Sequence, residues 1–240
     1  MLVVVAHPDD ETFGCGSIIA RAAADGHRVV IACFTAGELG EPAPGYTVGR
    51  DGLGADRAAE LRTAAAILGA TDVRLLGFVD SGWDGDVAPD SLCGAPDDDI
   101  VDAIDAVLRD VMPERVIVLD GSDGHRDHRR SRDATLAALD RDPATFANVR
   151  VDEVGLARSL MRRWADEMRA RSPDSVYLHD DGASLGRPDE EFTEVVDGTA
   201  QLEVRERAIA AHRSQASPFL AISPDLRRDM LTTDHLARLR

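Results

Sequence analysis

Leu2–Val5 is an unbroken apolar run, mostly β-branched, that stops abruptly at Ala6-His7-Pro8-Asp9-Asp10-Glu11. A run this short and this apolar reads as a strand buried on both faces, of the kind found in parallel sheets covered by helices. It delivers side chains able to ionise or bind metal to the carboxyl end of a buried strand, the edge where open α/β sheets bind ligands. An acidic turn before a helix accounts for the acids alone, because Asp and Glu favour a helix N-terminus. It does not account for His7, which at three residues from Asp10 can share one ion with it from a single turn.

The same pattern recurs along the chain. Apolar strands are predicted over Arg28–Phe34, Val73–Leu76 and Arg115–Leu119, and helices over Thr12–Ala24, Ala55–Leu68 and Asp98–Val111, with another starting near Arg129. Gly26, Gly69 and Pro113 supply the stops. Four strand–helix alternations predict βαβ units: a three-layer, Rossmann-like α/β fold with a mostly parallel sheet and helices on both faces. Right-handed crossovers then bring every strand-to-helix loop to one edge. The expected organisation is a single domain over 1–240: a core over 1–150 holding the site, and a less regular part, 151–240, walling the pocket. In that last part Glu153–Ala170 and Gln201–His212 read as helices, and Val176–His179 and Phe192–Val196 as short strands. Gly77–Pro96 reads as a long loop, a length that in a compact domain often marks function.

Charge and composition narrow the partners. The formal net charge of −17 leaves no excess of cations to displace counterions, which argues against nucleic acid or an anionic membrane. Arginine supplies all 27 basic residues. Without lysine there is no Schiff base and no phosphate-gripping ammonium. Cys15, Cys33 and Cys93 are odd in number and widely spaced, which fits neither a disulfide framework nor a zinc finger. No apolar segment is long enough to span a bilayer and the N-terminus shows no charged leader, so the chain reads as cytoplasmic.

Four polar clusters follow the four strands: His7–Glu11, Thr35–Glu38, Asp80-Ser81-Gly82 and His125-Arg126-Asp127-His128. A parallel sheet gathers them at its carboxyl edge, although His7 and His128 lie about 120 residues apart. Two histidines, a carboxylate and an open position make a common catalytic zinc site, and the same donors suit iron. A hydrolase of this type also needs a base that does not bind the metal. Asp9 and Asp10 can divide those tasks, and spacing alone does not say which does which.

With these motifs in place the sequence resembles the LmbE-like, PIG-L-type metal-dependent N-deacetylases. The resemblance rests on AHPDDE at the first strand's end, Thr35-Ala36-Gly37-Glu38 after the second, Arg57 with Glu60-Leu61, Asp80-Ser81-Gly82, the His125–His128 motif and Ala211-His212-Arg213-Ser214-Gln215. It implies His7, Asp10 and His128 as ligands of Zn2+ (or Fe2+ or another divalent transition metal) and Asp9 as general base. It also implies His125 as oxyanion stabiliser or donor to the leaving amine, and Asp127 as a carboxylate orienting an imidazole. Arg57 and Asp80 match positions that hold sugar hydroxyls, and Asp80-Ser81-Gly82 points to the mycothiol-related branch. The implied substrate is an N-acetyl amino sugar or glycoconjugate, and relatives often form homo-oligomers. Two departures stand out: Arg126 replaces the usual proline, and Asp123 stands where mycothiol-pathway relatives carry a tyrosine.

Competing functions are an amidase acting on a thiol conjugate, deacetylation of a secondary metabolite, a magnesium phosphatase using Asp9 or Asp10 as nucleophile, and a non-catalytic binding protein. The absent lysine and the two histidines count against the phosphatase, and the full ligand set counts against the binding protein. His27, His179 and His235 read as structural histidines. His212 has a stronger claim through its AHRSQ context, Glu11 reads as a supporting or helix-starting residue, and Trp83 is a candidate substrate contact. Gly14-x-Gly16 lacks the third glycine of a dinucleotide fingerprint.

Overall fold

The alternation along the opening strand sorts its side chains between two layers. Leu2 and Val4 pack into one apolar cluster, Val3 and Val5 into the other, and all four are essentially inaccessible. In the computed structural model, which describes residues 1–171, 173, 178 and 186–240, this strand β1 (Leu2–Val5) is central to a seven-stranded sheet. β1 pairs in parallel with β2 (Val30–Thr35) on one side and β4 (Arg115–Leu119) on the other. β3 (Asp72–Phe78) continues the parallel set beyond β2, and β5 (Arg150–Gly155) beyond β4. β7 (Thr233–Arg238) then runs antiparallel to β5, and β6 (Glu194–Asp197) antiparallel to β7. The order is β3-β2-β1-β4-β5-β7-β6.

Between β1 and β4 the winding reverses, so a crevice opens at their carboxyl ends, as in other doubly wound sheets. One face is covered by α4 (Asp97–Val111) and α5 (Arg126–Arg141), which bury Ile100, Ile104, Leu108, Ala138 and Leu139 against the sheet. The other is covered by α2 (Gly16–Ala24), α3 (Leu53–Leu68) and α7 (Leu202–Ile209), through Ile19, Leu61, Ala64 and Ala208. Fully burying one such aliphatic side chain contributes about 1.5–3 kcal/mol, so aliphatic burial alone can hold these layers in a chain with few aromatics. α6 (Arg158–Arg171) and α8 (Pro224–Leu231) close a third cluster around Trp164, Phe219 and Leu226. Among the described residues no helix is long and apolar enough to cross a membrane.

The helix expected over Thr12–Ala24 starts earlier, as the single turn α1 (Asp10–Phe13), and breaks before Gly16. The break has a cause. The fully buried Arg205 donates from Nε to the Thr12 carbonyl at 3.0 Å and from Nη2 to the Phe13 carbonyl at 2.6 Å, taking acceptors a continuous helix would use. Only glycine fits at 16, where a Cβ would lie 2.7 Å from Arg205 Cγ.

The Glu153–Ala170 helix is corrected to strand β5 followed by α6. Asp152 and Glu153 disguise the strand, yet Asp152 is wholly buried among the guanidinium groups of Arg115, Arg150 and Arg238. Strand β6 lies where Phe192–Val196 predicts one, whereas β7 and α8 appear in stretches with no predicted element. Of the strand expected over Val176–His179, all but Leu178 lies outside the described residues, His179 included.

Candidate metal centre and active site

β1 ends at Val5, and the next turn is built by its own acids. Asp10 Oδ2 accepts from the backbone N–H of Ala6 at 3.1 Å and of His7 at 2.8 Å, folding the chain back over the strand end. Asp9 sits at the bend with φ 115°, one of two non-glycine residues of positive φ among the described residues. Across the crevice, β4 empties into 120–125 and α5 begins at Arg126, so Asp127 and His128 lie in its first turn rather than in the expected loop.

The three histidines of these two segments meet. The His7 ring centroid lies 4.5 Å from that of His125 and 5.3 Å from that of His128, and His125 stacks on His128 at 4.9 Å. Ring nitrogens of all three come within 4.8 Å of one another, a grouping able to hold an ion. Asp10 stands between two of them: its Oδ2 is 3.7 Å from His7 Nδ1 and its Oδ1 is 3.3 Å from His128 Nε2.

In His7 and His128 the opposite ring nitrogen is tied to a carboxylate. His7 Nε2 donates to Asp127 Oδ2 at 3.1 Å, with Asp80 Oδ1 at 3.5 Å, and His128 Nδ1 faces Asp123 Oδ2 at 2.6 Å. This is the arrangement that fixes the tautomer of a metal-ligating histidine. It leaves His7 Nδ1 and His128 Nε2 turned toward Asp10, and His128 Nε2 is buried without a hydrogen-bond partner among the described residues. A second group able to hold an ion, His7 with Asp80 and Asp127, uses the His7 nitrogen that already donates to Asp127. The donor set facing Asp10 therefore suits a divalent cation better.

Electrostatics separate the two adjacent acids. Burial pushes the Asp9 carboxyl up, and with Asp10 and Glu11 close by it reaches about 6 despite the opposing Arg57. Burial also works against a charged Asp10, but His128 and His7 outweigh it and hold that carboxyl well below the usual carboxylate range. For His7, burial opposes the charge while hydrogen bonds to Asp127 and Asp80 raise it to about 9. His125 goes the other way: burial, then the charges of His7 and His128, lower it to about 4. The Asp127 backbone N–H donates to His125 Nδ1 at 3.2 Å, so the proton of the neutral ring sits on Nε2.

Supporting residues explain the other motifs. Arg57 donates to the carbonyls of Gly37 and Pro8, both at 2.7 Å, and to Asp9 Oδ2 at 3.0 Å, so this guanidinium, expected on sugar hydroxyls, faces the acid turn. Gly37 has φ 66° and admits no side chain, since a Cβ would lie 2.2 Å from Arg57 Nη1. Glu38 Oε2 accepts from the Asp80 backbone N–H at 3.1 Å, joining two of the four clusters.

The roles of Asp123 and Arg126, and the partner of Glu11, are not legible in the sequence. Asp123, where related proteins carry tyrosine, pairs with His128. Arg126, in place of proline, donates from Nε to the Gly82 carbonyl at 2.7 Å and from Nη1 to that of Gly85 at 3.1 Å, and it also contacts the Asp84 carbonyl. It fastens the loop carrying Trp83, whose ring meets His125 edge-on at 5.1 Å. Glu11 is wholly buried against His212. The only advance signals were a carboxylate two residues before the first histidine of the second motif and a histidine within AHRSQ.

The family model described as PIG-L, GlcNAc-PI de-N-acetylase, matches residues 2–139. The chain belongs to the PIG-L family. The resemblance to its mycothiol-related branch holds as well. A relative from Geodermatophilus obscurus, a 1D-myo-inositol 2-acetamido-2-deoxy-alpha-D-glucopyranoside deacetylase, is 33% identical, the match covering 100% of this chain and 92% of the relative. Among solved structures, N,N'-diacetylchitobiose deacetylase from Pyrococcus horikoshii superimposes with a TM-score of 0.67 at 18% identity, over 99% of this chain and 82% of that one. GalB, the 4-carboxy-2-hydroxymuconate hydratase of Pseudomonas putida, does so with a TM-score of 0.65 at 17% identity, over 100% of this chain and 95% of that one. A deacetylase and a hydratase on one fold show that the reaction must be argued from the site.

Proposed function

We propose that this PIG-L family member is a zinc-dependent N-deacetylase that hydrolyses the acetamide of an N-acetyl amino sugar or its glycoconjugate. The observation that carries the reading is the pairing of His7 and His128 about Asp10. Each imidazole is anchored to a carboxylate through one nitrogen and turns the other inward, beside a second acid, Asp9, poised near neutrality. The relative from Geodermatophilus obscurus, whose name specifies an acetamido sugar, supports the substrate class.

His7 Nδ1, Asp10 and His128 Nε2 would hold the metal. When bound, a divalent ion there supplies Lewis-acid polarisation of a carbonyl and makes water more acidic. The chain's own residues do the rest. Asp9, with an ordinary carboxylate raised to about 6, is ionised at neutral pH yet basic enough to take a proton from the attacking water. Neutral His125 presents Nε2–H as a hydrogen-bond donor to the oxyanion that develops as the carbonyl carbon becomes tetrahedral. Its low pKa makes this role fit better than that of a charged acid. The C–N bond then breaks, the proton held by Asp9 passes to the leaving nitrogen, and acetate and a primary amine result.

The test is release of primary amine and acetate by metal-reconstituted protein, across N-acetyl sugars, inositol-linked acetamido sugars and acylated thiol conjugates. Asp9→Asn should keep the metal and lose about 10²–10⁴-fold in kcat. Turnover of thiol conjugates alone would transfer the protein to the amidase reading, and full activity of Asp9→Asn would remove Asp9 as the base.

A further inference from the structure

Asp9 is an odd place for a left-handed residue. An L side chain at φ 115° costs on the order of 1–3 kcal/mol and persists only where its surroundings over-determine it. The surroundings here come from the far end of the chain. The Asp9 backbone N–H donates to Glu11 Oε2 at 2.9 Å, and the other oxygen of the same carboxylate lies 2.6 Å from His212 Nε2. Glu11 is wholly buried and His212 is 3% exposed, with its Nδ1 buried and unpartnered among the described residues. Leaving a ring nitrogen in that state is costly, on the order of 1–3 kcal/mol, so a histidine there requires a return elsewhere.

The segment bearing His212 is fastened to α3. Ser214 donates from its backbone N–H to Glu60 Oε1 at 2.9 Å and from its hydroxyl to Glu60 Oε2 at 2.6 Å. Glu60 lies one helical turn after Arg57, whose Nη2 donates to Asp9 Oδ2 at 3.0 Å. A closed circuit results: Arg57 holds the Asp9 carboxylate, Glu11 holds the Asp9 backbone, His212 holds Glu11, and Ser214 returns the chain to the helix carrying Arg57. Packing or helix-end capping alone does not call for this circuit, since neither needs a buried imidazole aimed at a buried carboxylate.

We infer that Glu11 and His212 are positioning residues that hold Asp9 in its left-handed conformation and so aim its carboxylate at the water it deprotonates. The inference rests on Asp9 being the base, as proposed above. It gives the Ala211–Gln215 motif a role in the reaction although His212 touches neither the metal-binding side chains nor, by its depth, the substrate.

The experiment compares His212→Ala, His212→Asn, Glu11→Ala, Glu11→Gln and Asp9→Asn as metal-loaded proteins on the best substrate of the panel. It records kcat, KM, bound metal per chain, melting temperature and, for the best-behaved His212 variant, a crystal structure. Displacing a reacting group by about 1 Å costs up to about 100-fold, so the alanine variants should lose about 10–100-fold in kcat with KM and metal content unchanged. Glu11→Gln, which retains an acceptor for the Asp9 N–H, should recover much of the rate, and the crystal structure should show Asp9 out of the positive-φ region. Should the alanine variants not fold, His212→Asn and Glu11→Gln carry the same comparison. A rate loss explained by lost metal or a raised KM would overturn the inference, as would unchanged kcat or an unmoved Asp9. Full activity of Asp9→Asn would instead overturn the assignment of the base, a separately readable failure.

Discussion

Replacing Arg57 by alanine removes the guanidinium that faces the Asp9 carboxylate, the stronger of the two cationic influences on it, the other being His212. In the intact protein Asp9 stands at about 6, the resultant of burial, Asp10 and Glu11 pushing it up and Arg57 and His212 pulling it down. A guanidinium beside a carboxylate lowers it by about 1–3 pH units, so Arg57→Ala should place Asp9 at about 7–9. At pH 7 a group at about 6 is roughly 90% ionised, and one at 7–9 is roughly 50% to 1% ionised. Because only ionised Asp9 accepts a proton, kcat/KM at pH 7 should fall by about 2- to 90-fold and recover on going to pH 9. The acid limb of the pH–rate profile should move up, never down. Arg57→Lys, which keeps the charge but not the fork to the Gly37 and Pro8 carbonyls, should sit between the two. The assay is initial-rate amine release from pH 5 to 9.5, with bound metal measured at each end. A variant equally impaired at pH 7 and pH 9 would refute the reasoning and leave Arg57 as a brace for the turn.

Asp123→Asn should weaken metal binding by about 10–100-fold in competition against a chromophoric chelator, because a neutral amide orients His128 less firmly than the carboxylate now 2.6 Å from its Nδ1. Arg126→Ala should raise KM while leaving kcat in place, since it frees the Gly82–Gly85 loop without touching the acid turn; steady-state kinetics separates the two. Asp152→Asn should destabilise the fold by about 2–3 kcal/mol in urea titration at pH 7, less than for a fully enclosed pair because its three arginines reach solvent. Burial opposes the charge on Asp152 but Arg150, Arg238 and Arg115 hold its carboxyl below the ordinary value. Its contribution is therefore complete above pH about 4 and lost as pH falls through the folded value, so wild-type and variant stabilities should converge in acid.

The parts of this fold legible in advance are those where one physical demand acts alone. β1, β2 and β4 are apolar on both faces because both faces are covered, so Leu2–Val5 and Arg115–Leu119 announce themselves. β5 does not, because Asp152 lies in its interior and is neutralised by arginines from three strands, Arg115 on β4, Arg150 on β5 and Arg238 on β7. Within the site, the meeting of His7, Asp10, His125 and His128 follows from parallel topology alone. Asp123 and Arg126 were visible only as departures from a family pattern, and what each does depends on where the ring of His128 and the carbonyls of Gly82 and Gly85 lie. Arg57 was legible as a site residue, yet the atoms it grips became apparent only with the left-handed bend at Asp9.

That bend is also why two neighbouring aspartates can do different work. In a regular helical turn residues 9 and 10 would share one polar surface and differ less in surroundings. With φ at 115°, Asp9 is directed toward Arg57, while Asp10 folds back under two backbone N–H groups and between two imidazoles. The second environment holds the Asp10 carboxyl well below the usual carboxylate range, which suits the ligand role proposed for it. The first, with Arg57 and His212 set against burial and two nearby acids, leaves Asp9 within reach of a proton near neutral pH. Adjacent carboxylates driven apart in this way support the proposed division, Asp10 as ligand and Asp9 as base. The left-handed bend at Asp9 is what places them in these two environments, and in the inference above the buried contacts of Glu11, His212 and Arg57 hold that bend.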